Sequence, residues 1–387
     1  MNIYPPQPPP VRTFGVEEEL LLVHSGTFEP MPVAEEAVEA AGAAAGLDSI
    51  GFDVTLEVQQ EQIEIAGPPQ TDLAGQLASI RTGRRLADEA AAKVGARVAA
   101  VGTCPPPLLP NLVPLPRYRR MQERFGLTLQ EQLTCGYHVH VGISSAEEGV
   151  AALNRMRPWL PVLLALSGNS PFWNGRDSGY SSFRYQAWSR WPTAGPPPLS
   201  ATVADYERHV AALLASEVPL DEGMVYFDAR LSRHVPTLEV RITDVCMDAA
   251  HAAGIAALVR ALVETAVRSW RAGGQPSDVS AAELRTWSWQ ASRAGVGGYL
   301  ISPVTARPAP AGDVVAQLLE LVRPVLAEWQ EDAAVEAIMA GILREGTGSM
   351  RQREAFSRRC EFADVLAEAV QLTHAGAAAE LLLPDAS

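Results

Sequence analysis

The sequence predicts an α+β fold, one large domain of antiparallel strands with helices. Two observations carry this. Several short segments in the first two thirds alternate apolar and polar residues with the period of a half-buried strand, and nearby pairs are joined by short breaks. From Ala249 onward the chain is almost entirely helical in pattern, and no internal repeat or interdomain linker divides it. The 387 residues are 47% hydrophobic and 20% charged, an ordinary composition with ample length for a large core.

Residues 1–11 form a Pro-rich lead-in, expected to be extended and disordered, ahead of a single catalytic-size domain over 12–376 and a tail over 377–387. The first strand, Thr13 to Val23, carries Glu17, Glu18 and Glu19 in a run that otherwise reads as buried. Alternation puts Glu17 and Glu19 on one face and Glu18 on the other. Neighbouring carboxylates repel unless a cation lies between them; the other reading is a strand entering solvent. A helix is expected over Ala34–Ala45, stopped by Gly46. Strands Asp53–Val58 and Gln62–Ile65 follow, read as antiparallel neighbours, and Thr71 or Asp72 caps a helix running to about Val94. Ala96–Thr103 reads as a strand, Cys104–Pro116 as a Pro-rich loop, and Arg117–Phe125 as a short basic helix closed by Gly126.

Thr134–Ile143 is a strand with His138 and His140 on one face and Val139, Val141 and Ile143 on the other. The helix expected over Ala146–Ser167 should bend at Pro158 and Pro161. Residues 168–198 read as one long loop, with five Trp and Tyr residues and three arginines between Trp173 and Trp191, a composition that favours function over disorder. A helix over 201–216 precedes two strands, Met224–Leu231 and Thr237–Val245. Helices then fill the remainder, with breaks near 273–276, 295–312 and 345–349.

A net charge of −14 argues against a nucleic-acid or anionic-membrane partner. No apolar run is long enough to cross a bilayer without Pro, Gly or charge, and the start lacks a signal-peptide pattern, so the expected location is cytoplasmic. Cys104, Cys135, Cys246 and Cys360 are scattered without a CxxC pair and read as reduced thiols, not as a disulfide framework or zinc site. Cys135 has no activating constellation and reads as a packing residue.

Four strand segments place polar residues two apart: Glu17/Glu19, Gln62/Glu64 with Glu57 upstream, His138/His140, and Glu239/Arg241 with Thr243. Each alone matches a solvated strand face. On one sheet they would converge on a trough of carboxylates, imidazoles and an arginine, suited to Mg²⁺ or Mn²⁺ with open positions for phosphate oxygens. No Walker A loop, GxGxxG after a strand, or kinase signature is present, so a nucleotide would be held by metals and arginines.

These segments also carry a resemblance. Gly15–Val23, Gln62-Ile63-Glu64, Tyr137–Gly142, Trp188-Ser189-Arg190-Trp191-Pro192 and Thr237–Asp244 resemble the type 2 glutamate–cysteine ligase family, in its YbdK-like carboxylate–amine ligase branch. Trp289–Ile301 and Gly346–Arg353 also resemble it, with a departure at Trp289, where an Asn-x-Trp-type pattern is expected. The resemblance implies a glutamine-synthetase-like fold, a curved antiparallel sheet forming a funnel backed by helices, and an enzyme using ATP and a divalent metal. It implies Glu17, Glu19, Glu64 and Glu239 as metal ligands, and His140 as a ligand or nucleotide neighbour. Arg241 would stabilise the transferring phosphoryl group beside Glu239, with Tyr137 and His138 near the substrates. It further implies glutamate and cysteine, or analogues, as substrates, an acyl-phosphate intermediate, and a homodimer. Arg184 and Arg190 are candidates for an amino acid α-carboxylate, or are structural ion pairs of the loop. Arg117 and Arg119 either touch phosphate or solvate a helix face. Competing classes are the same chemistry on another amine or carboxylate, a divalent-metal hydrolase or amidase, and a catalytically silent binding protein.

Overall fold

The computed structural model describes residues 11–42 and 50–375. The lead-in expected over 1–11, Val11 apart, the tail over 377–387, and the end of the helix expected to reach Ala45 lie outside them. The strands in chain order are β1 (Phe14–His24), β2 (Asp53–Leu56), β3 (Gln62–Ala66), β4 (Ala96–Ala99), β5 (Gly136–Gly142), β6 (Phe172–Trp173), β7 (Arg176–Asp177), β8 (Ala229–Leu231), β9 (Thr237–Asp244), β10 (Tyr299–Ser302) and β11 (Arg307–Pro310). Six of them form one sheet in the order β2-β3-β1-β5-β9-β8, and β4 joins it by pairing with the end of β1. Every pairing is antiparallel. β6–β7 and β10–β11 are separate two-stranded ribbons.

β1 is the centre of the sheet because it is long enough to pair with three strands: β5 along its first half, β3 along its middle, and β4 at its end. Its apolar residues Leu20 and Leu22, with Val139 and Val141 of β5 and Val240 of β9, are fully buried. Each such side chain contributes about 1.5–3 kcal/mol on burial. The cover is helical. Leu73–Ala92, capped by Asp72 Oδ1 accepting from Gly75 N, packs on Ala249–Arg271, which in turn contacts β1 and β5. Ala249–Arg271 is long and apolar enough to cross a membrane, but 78% of its most apolar window is buried inside this fold. Gly254 within it admits the side chain of Ile338, which an added Cβ would meet at 2.6 Å.

The helix expected over Ala146–Ser167 is split by its prolines into Ala146–Met156, a 3₁₀ turn at Arg157–Trp159, and Leu160–Ser167. Several expected strands are shorter: β2 stops at Leu56, β4 at Ala99, and β8 spans only Ala229–Leu231, with Met224 in a 3₁₀ turn. The loop over 168–198 is not structureless. It contains the β6–β7 ribbon and the helix Phe183–Trp188, capped by Ser182 accepting from Tyr185 N. Cys104, Cys135 and Cys246 are buried free thiols and Cys360 an exposed one. Burial raises the Cys135 thiol well above its usual value, which keeps it protonated.

Candidate active site

Register decides which side chains meet on the face of the sheet opposite the helices. Glu17 of β1 stands opposite His138 of β5, and Glu19 opposite Glu64 of β3, which is itself opposite Thr55 of β2. His140 lies opposite Glu239 of β9, and Glu239 opposite Arg230 of β8. These cross-strand rows make a trough of about 370 Å³ that also takes in Glu57, Arg241, Tyr118, Trp188, Trp191 and Tyr226.

The Glu17 carboxylate sits between two imidazoles, with Oε2 3.1 Å from His138 Nδ1 and Oε1 3.3 Å from His140 Nε2. Burial opposes its charge, but the close contacts with the His138 and His140 imidazoles hold it well below the usual carboxylate range. Burial, then the Arg241 charge, pushes the His138 imidazole down. Burial also opposes charge on His140, yet Glu17 raises it. Thr237 Oγ1 contacts His140 Nδ1 at 2.9 Å and fixes the ring, leaving Nε2 buried without a hydrogen bond of normal geometry.

Glu239 is held by two guanidinium groups, Arg230 through Nε to Oε2 at 2.8 Å, and Arg241 through Nη1. Burial works against its charge, and Arg241 and Arg230 together keep it well below the usual range. At the other end the carboxylates lack such partners. Burial, then the Glu19 charge, raises Glu57 to about 8. Burial, then Glu57, Glu17 and Glu19, raises Glu64 well above its ordinary value.

Three sets of ligand atoms lie within 4.8 Å of one another: Glu17/Glu64/His138, Glu17/His140/Glu239, and Glu19/Glu57/Glu64. The orphaned His140 Nε2 and the mutually repelling carboxylates at Glu57 and Glu64 fit a divalent cation. The oxygen-dominated donor set, with an imidazole, fits Mg²⁺ or Mn²⁺ better than a thiolate-preferring metal.

The sheet therefore brings together Glu17, Glu19, Glu64, His138, His140, Glu239 and Arg241. It does not bring Tyr137, Arg184 or Arg190 into the trough. Tyr137 is fully buried on the helical side, where its hydroxyl donates to Ala252 O at 2.8 Å. Arg184 lies beneath the β9 end, 3.8 Å from buried Asp244 and donating to the carbonyls of Arg241 and Ile242. Arg190 pairs with Glu131 and lies over the Trp173 ring at 5.6 Å. Both arginines take the ion-pair alternative. Thr243 also leaves the trough: a bulge between β5 and β9 near His138 shifts the register, and its hydroxyl donates to Tyr137 O. Arg117 reaches the cavity wall while paired to Asp221 at 2.8 Å, whereas Arg119 is exposed on the helix Pro116–Phe125. Trough residues absent from the sequence reading include Arg230, His234 and the wall residues Tyr118 and Tyr226. Arg230 carried a signal, since alternation in Asp228-Ala229-Arg230-Leu231 gives it the polar face.

The glutamate–cysteine ligase family 2 (GCS2) pattern matches residues 13–376. The protein named "Putative glutamate–cysteine ligase 2-1" of Paenarthrobacter aurescens is 49% identical over 366 residues, covering 94% of this chain and 95% of that one. "Putative glutamate–cysteine ligase 2" of Streptomyces coelicolor is 45% identical over 366 residues, covering 94% and 100%. Among solved structures, a glutamate–cysteine ligase of Francisella tularensis in complex with AMP superposes with a TM-score of 0.67 at 13% identity, covering 94% of this chain and 89% of that one. A bifunctional glutathione synthetase of Pasteurella multocida gives 0.66 at 14% identity, covering 94% of this chain and 52% of its own. The fold is thus of the glutamine-synthetase-like type, and the protein is an enzyme of the ATP-dependent ligase class. The chain belongs to the glutamate–cysteine ligase 2 family.

Proposed function

We propose that the trough joins the γ-carboxyl of L-glutamate to the amine of L-cysteine through an acyl phosphate, with ATP as phosphoryl donor and Mg²⁺ or Mn²⁺ bound by the trough carboxylates. The observation that carries this reading is the convergence of Glu17, Glu19, Glu57, Glu64, His140 and Glu239 on one cavity beside Arg241. The names of the relatives supply the two amino acids, and the AMP in the Francisella protein supports an adenine nucleotide here.

A carboxylate oxygen attacks the γ-phosphorus, the bond to the β-phosphate oxygen breaks, and ADP leaves. The amine nitrogen then attacks the acyl carbon, the carbon–oxygen bond to phosphate breaks, inorganic phosphate leaves, and the nitrogen loses a proton. A bound divalent cation offsets phosphate charge. The chain's own residues hold and orient. Glu17, Glu19, Glu64, Glu239 and His140 are the proposed metal ligands, and Glu57 completes the Glu19/Glu64 set. Arg241, kept charged against burial by Glu239, is the donor for the transferring phosphoryl oxygens. Trp188, Trp191 and Tyr226, in mutual ring contact, form an apolar wall that excludes water from an activated carboxyl. No protein nucleophile is required, and the rate comes from positioning and electrostatics.

The test is ADP release by the purified protein with ATP and Mg²⁺ in the presence of glutamate and cysteine, with the product mass recorded. ADP formed in step with a γ-glutamyl amide supports the reading. Hydrolysis of an amide without ADP contradicts it.

A further inference from the structure

Gln62 of β3 lies on the trough face, and the chemistry proposed above gives it no role. It stands opposite Leu21 of β1, two residues beyond the Glu19–Glu64 pair, so its side chain shares their face. It lines the trough and is only 4% exposed. Its amide Oε1 is buried and accepts no hydrogen bond among the described residues. A buried polar atom without a partner is rare and costly in a folded chain, so this oxygen points to a donor that arrives with the ligand. The neighbouring amide in the wall is committed: Gln132 donates Nε2 to Thr134 Oγ1 at 2.7 Å and accepts from Trp191 Nε1 at 3.2 Å.

The surrounding charge selects the kind of donor. Glu19, Glu57 and Glu64, whose ligand oxygens lie within 4.8 Å of one another, occupy the same end of the trough. The guanidinium groups of the cavity are engaged elsewhere. Arg241 and Arg230 hold Glu239, on strands separated from β3 by β1 and β5, and Arg117 is paired to Asp221. A cationic donor, an ammonium group, satisfies both the open acceptor and the acidic surroundings.

The spacing fits the carboxylate-bearing substrate. Gln62 is one strand step, about 7 Å, from Glu64. In glutamate two methylenes part the γ-carboxyl from the carbon that bears the ammonium. A γ-carboxyl turned to a cation at the Glu19/Glu57/Glu64 set therefore extends its ammonium end toward Gln62. We propose that Gln62 is a specificity residue whose Oε1 accepts a hydrogen bond from the α-ammonium of glutamate. This rests on the ligase reading of the trough and adds to it the means of telling an α-amino acid from a plain dicarboxylate.

The test is steady-state ADP release with ATP, Mg²⁺ and cysteine by wild type and by Gln62→Met, which keeps the length of the side chain and removes the amide. The glutamate KM is measured, together with inhibition by γ-aminobutyrate, which keeps the amine and lacks the α-carboxylate, and by glutarate, which lacks the amine. In Gln62→Met the glutamate KM should rise about tenfold or more, with kcat and the ATP KM little changed. Inhibition by γ-aminobutyrate should weaken with it, and inhibition by glutarate should not. The unfolding midpoint should not fall, because Oε1 has no partner in the fold to lose. An unchanged glutamate KM overturns the proposal. So does an equal weakening of glutarate, which would set the amide against a carboxylate. Wild type that releases no ADP with glutamate and any amine overturns the ligase reading itself, and this assignment with it.

Discussion

The Arg84 guanidinium clasps the Glu18 carboxylate through two bonds, Nε to Oε2 at 2.9 Å and Nη2 to Oε1 at 2.6 Å, on the helical side of β1. Both side chains are almost fully buried, and the spare donors of Arg84 are met by the carbonyls of Cys246 and Met247. Glu18 is thereby committed to structure, while Glu17 and Glu19 on either side of it stay available to the trough.

This pair sets the first prediction. Arg84→Met leaves an unpaired buried carboxylate and should cost about 3–5 kcal/mol of stability. Glu18→Leu combined with Arg84→Met should recover most of that loss, because both charges are then gone. Urea denaturation of the single and double variants checks it, and a double variant no more stable than the single one would contradict it.

Glu17→Gln removes the charge shared by His138 and His140 while keeping the shape of the side chain. ADP formation should fall by about 10²–10³ or more, on the scale of losing one electrostatic group at an active site. Circular dichroism and the unfolding midpoint should change little. Unchanged turnover would remove Glu17 from the proposed ligand set.

Metal binding should depend on pH. Burial and the Glu19 charge raise the Glu57 carboxyl to about 8, so it gives up its proton only as pH rises toward that value. A cation competes with that proton and with the one on Glu64, itself raised well above its ordinary value, so Mn²⁺ affinity should rise with pH through about 8. Glu57→Gln should flatten the rise. Titration of Mn²⁺ by electron paramagnetic resonance across this range is the measurement.

Asp228 gives a separate pH effect on stability. Burial raises its carboxyl from 3.8 to about 7, and among the described residues the Tyr185 hydroxyl, at 3.2 Å, is its one direct hydrogen-bond partner. Its folded value lies above its unfolded one, so between them the folded state holds the proton more tightly. Stability should therefore fall as pH rises from about 4 to 7, by at most about 1.4 kcal/mol per pH unit from this group. Asp228→Asn should remove this component, visible as a wild-type-minus-variant difference in unfolding free energy that shrinks with pH.

Much of the trough was legible because period-two alternation needs no tertiary knowledge. Glu17 and Glu19 separate from Glu18, and His138 and His140 from Val139 and Val141, on parity alone. The same parity places Tyr137 with Val139 on the helical side, so its assignment to substrate from the family pattern ran against a signal already present. Alternation places Thr243 on the face of Glu239 and Arg241, and the β5–β9 bulge, which leaves no mark in the sequence, takes it off that face. Glu57 lies just past the end of β2 at Leu56, where alternation no longer applies, and only packing shows it beside Glu19 and Glu64. Arg184 and Arg190 sit on and after a short helix in a long connection, where no periodicity assigns a face. Their partners, Asp244 and Glu131, are distant in sequence.

The most direct test of the central claim is a matrix of amino acids and amines incubated with the protein, ATP and Mg²⁺, read by ADP release and product mass. The account predicts ADP formation that requires glutamate and an amine together, greatest with cysteine, and a product whose mass is that of the γ-glutamyl amide. No ADP with any pairing, or amide cleavage that proceeds without ATP, would contradict it.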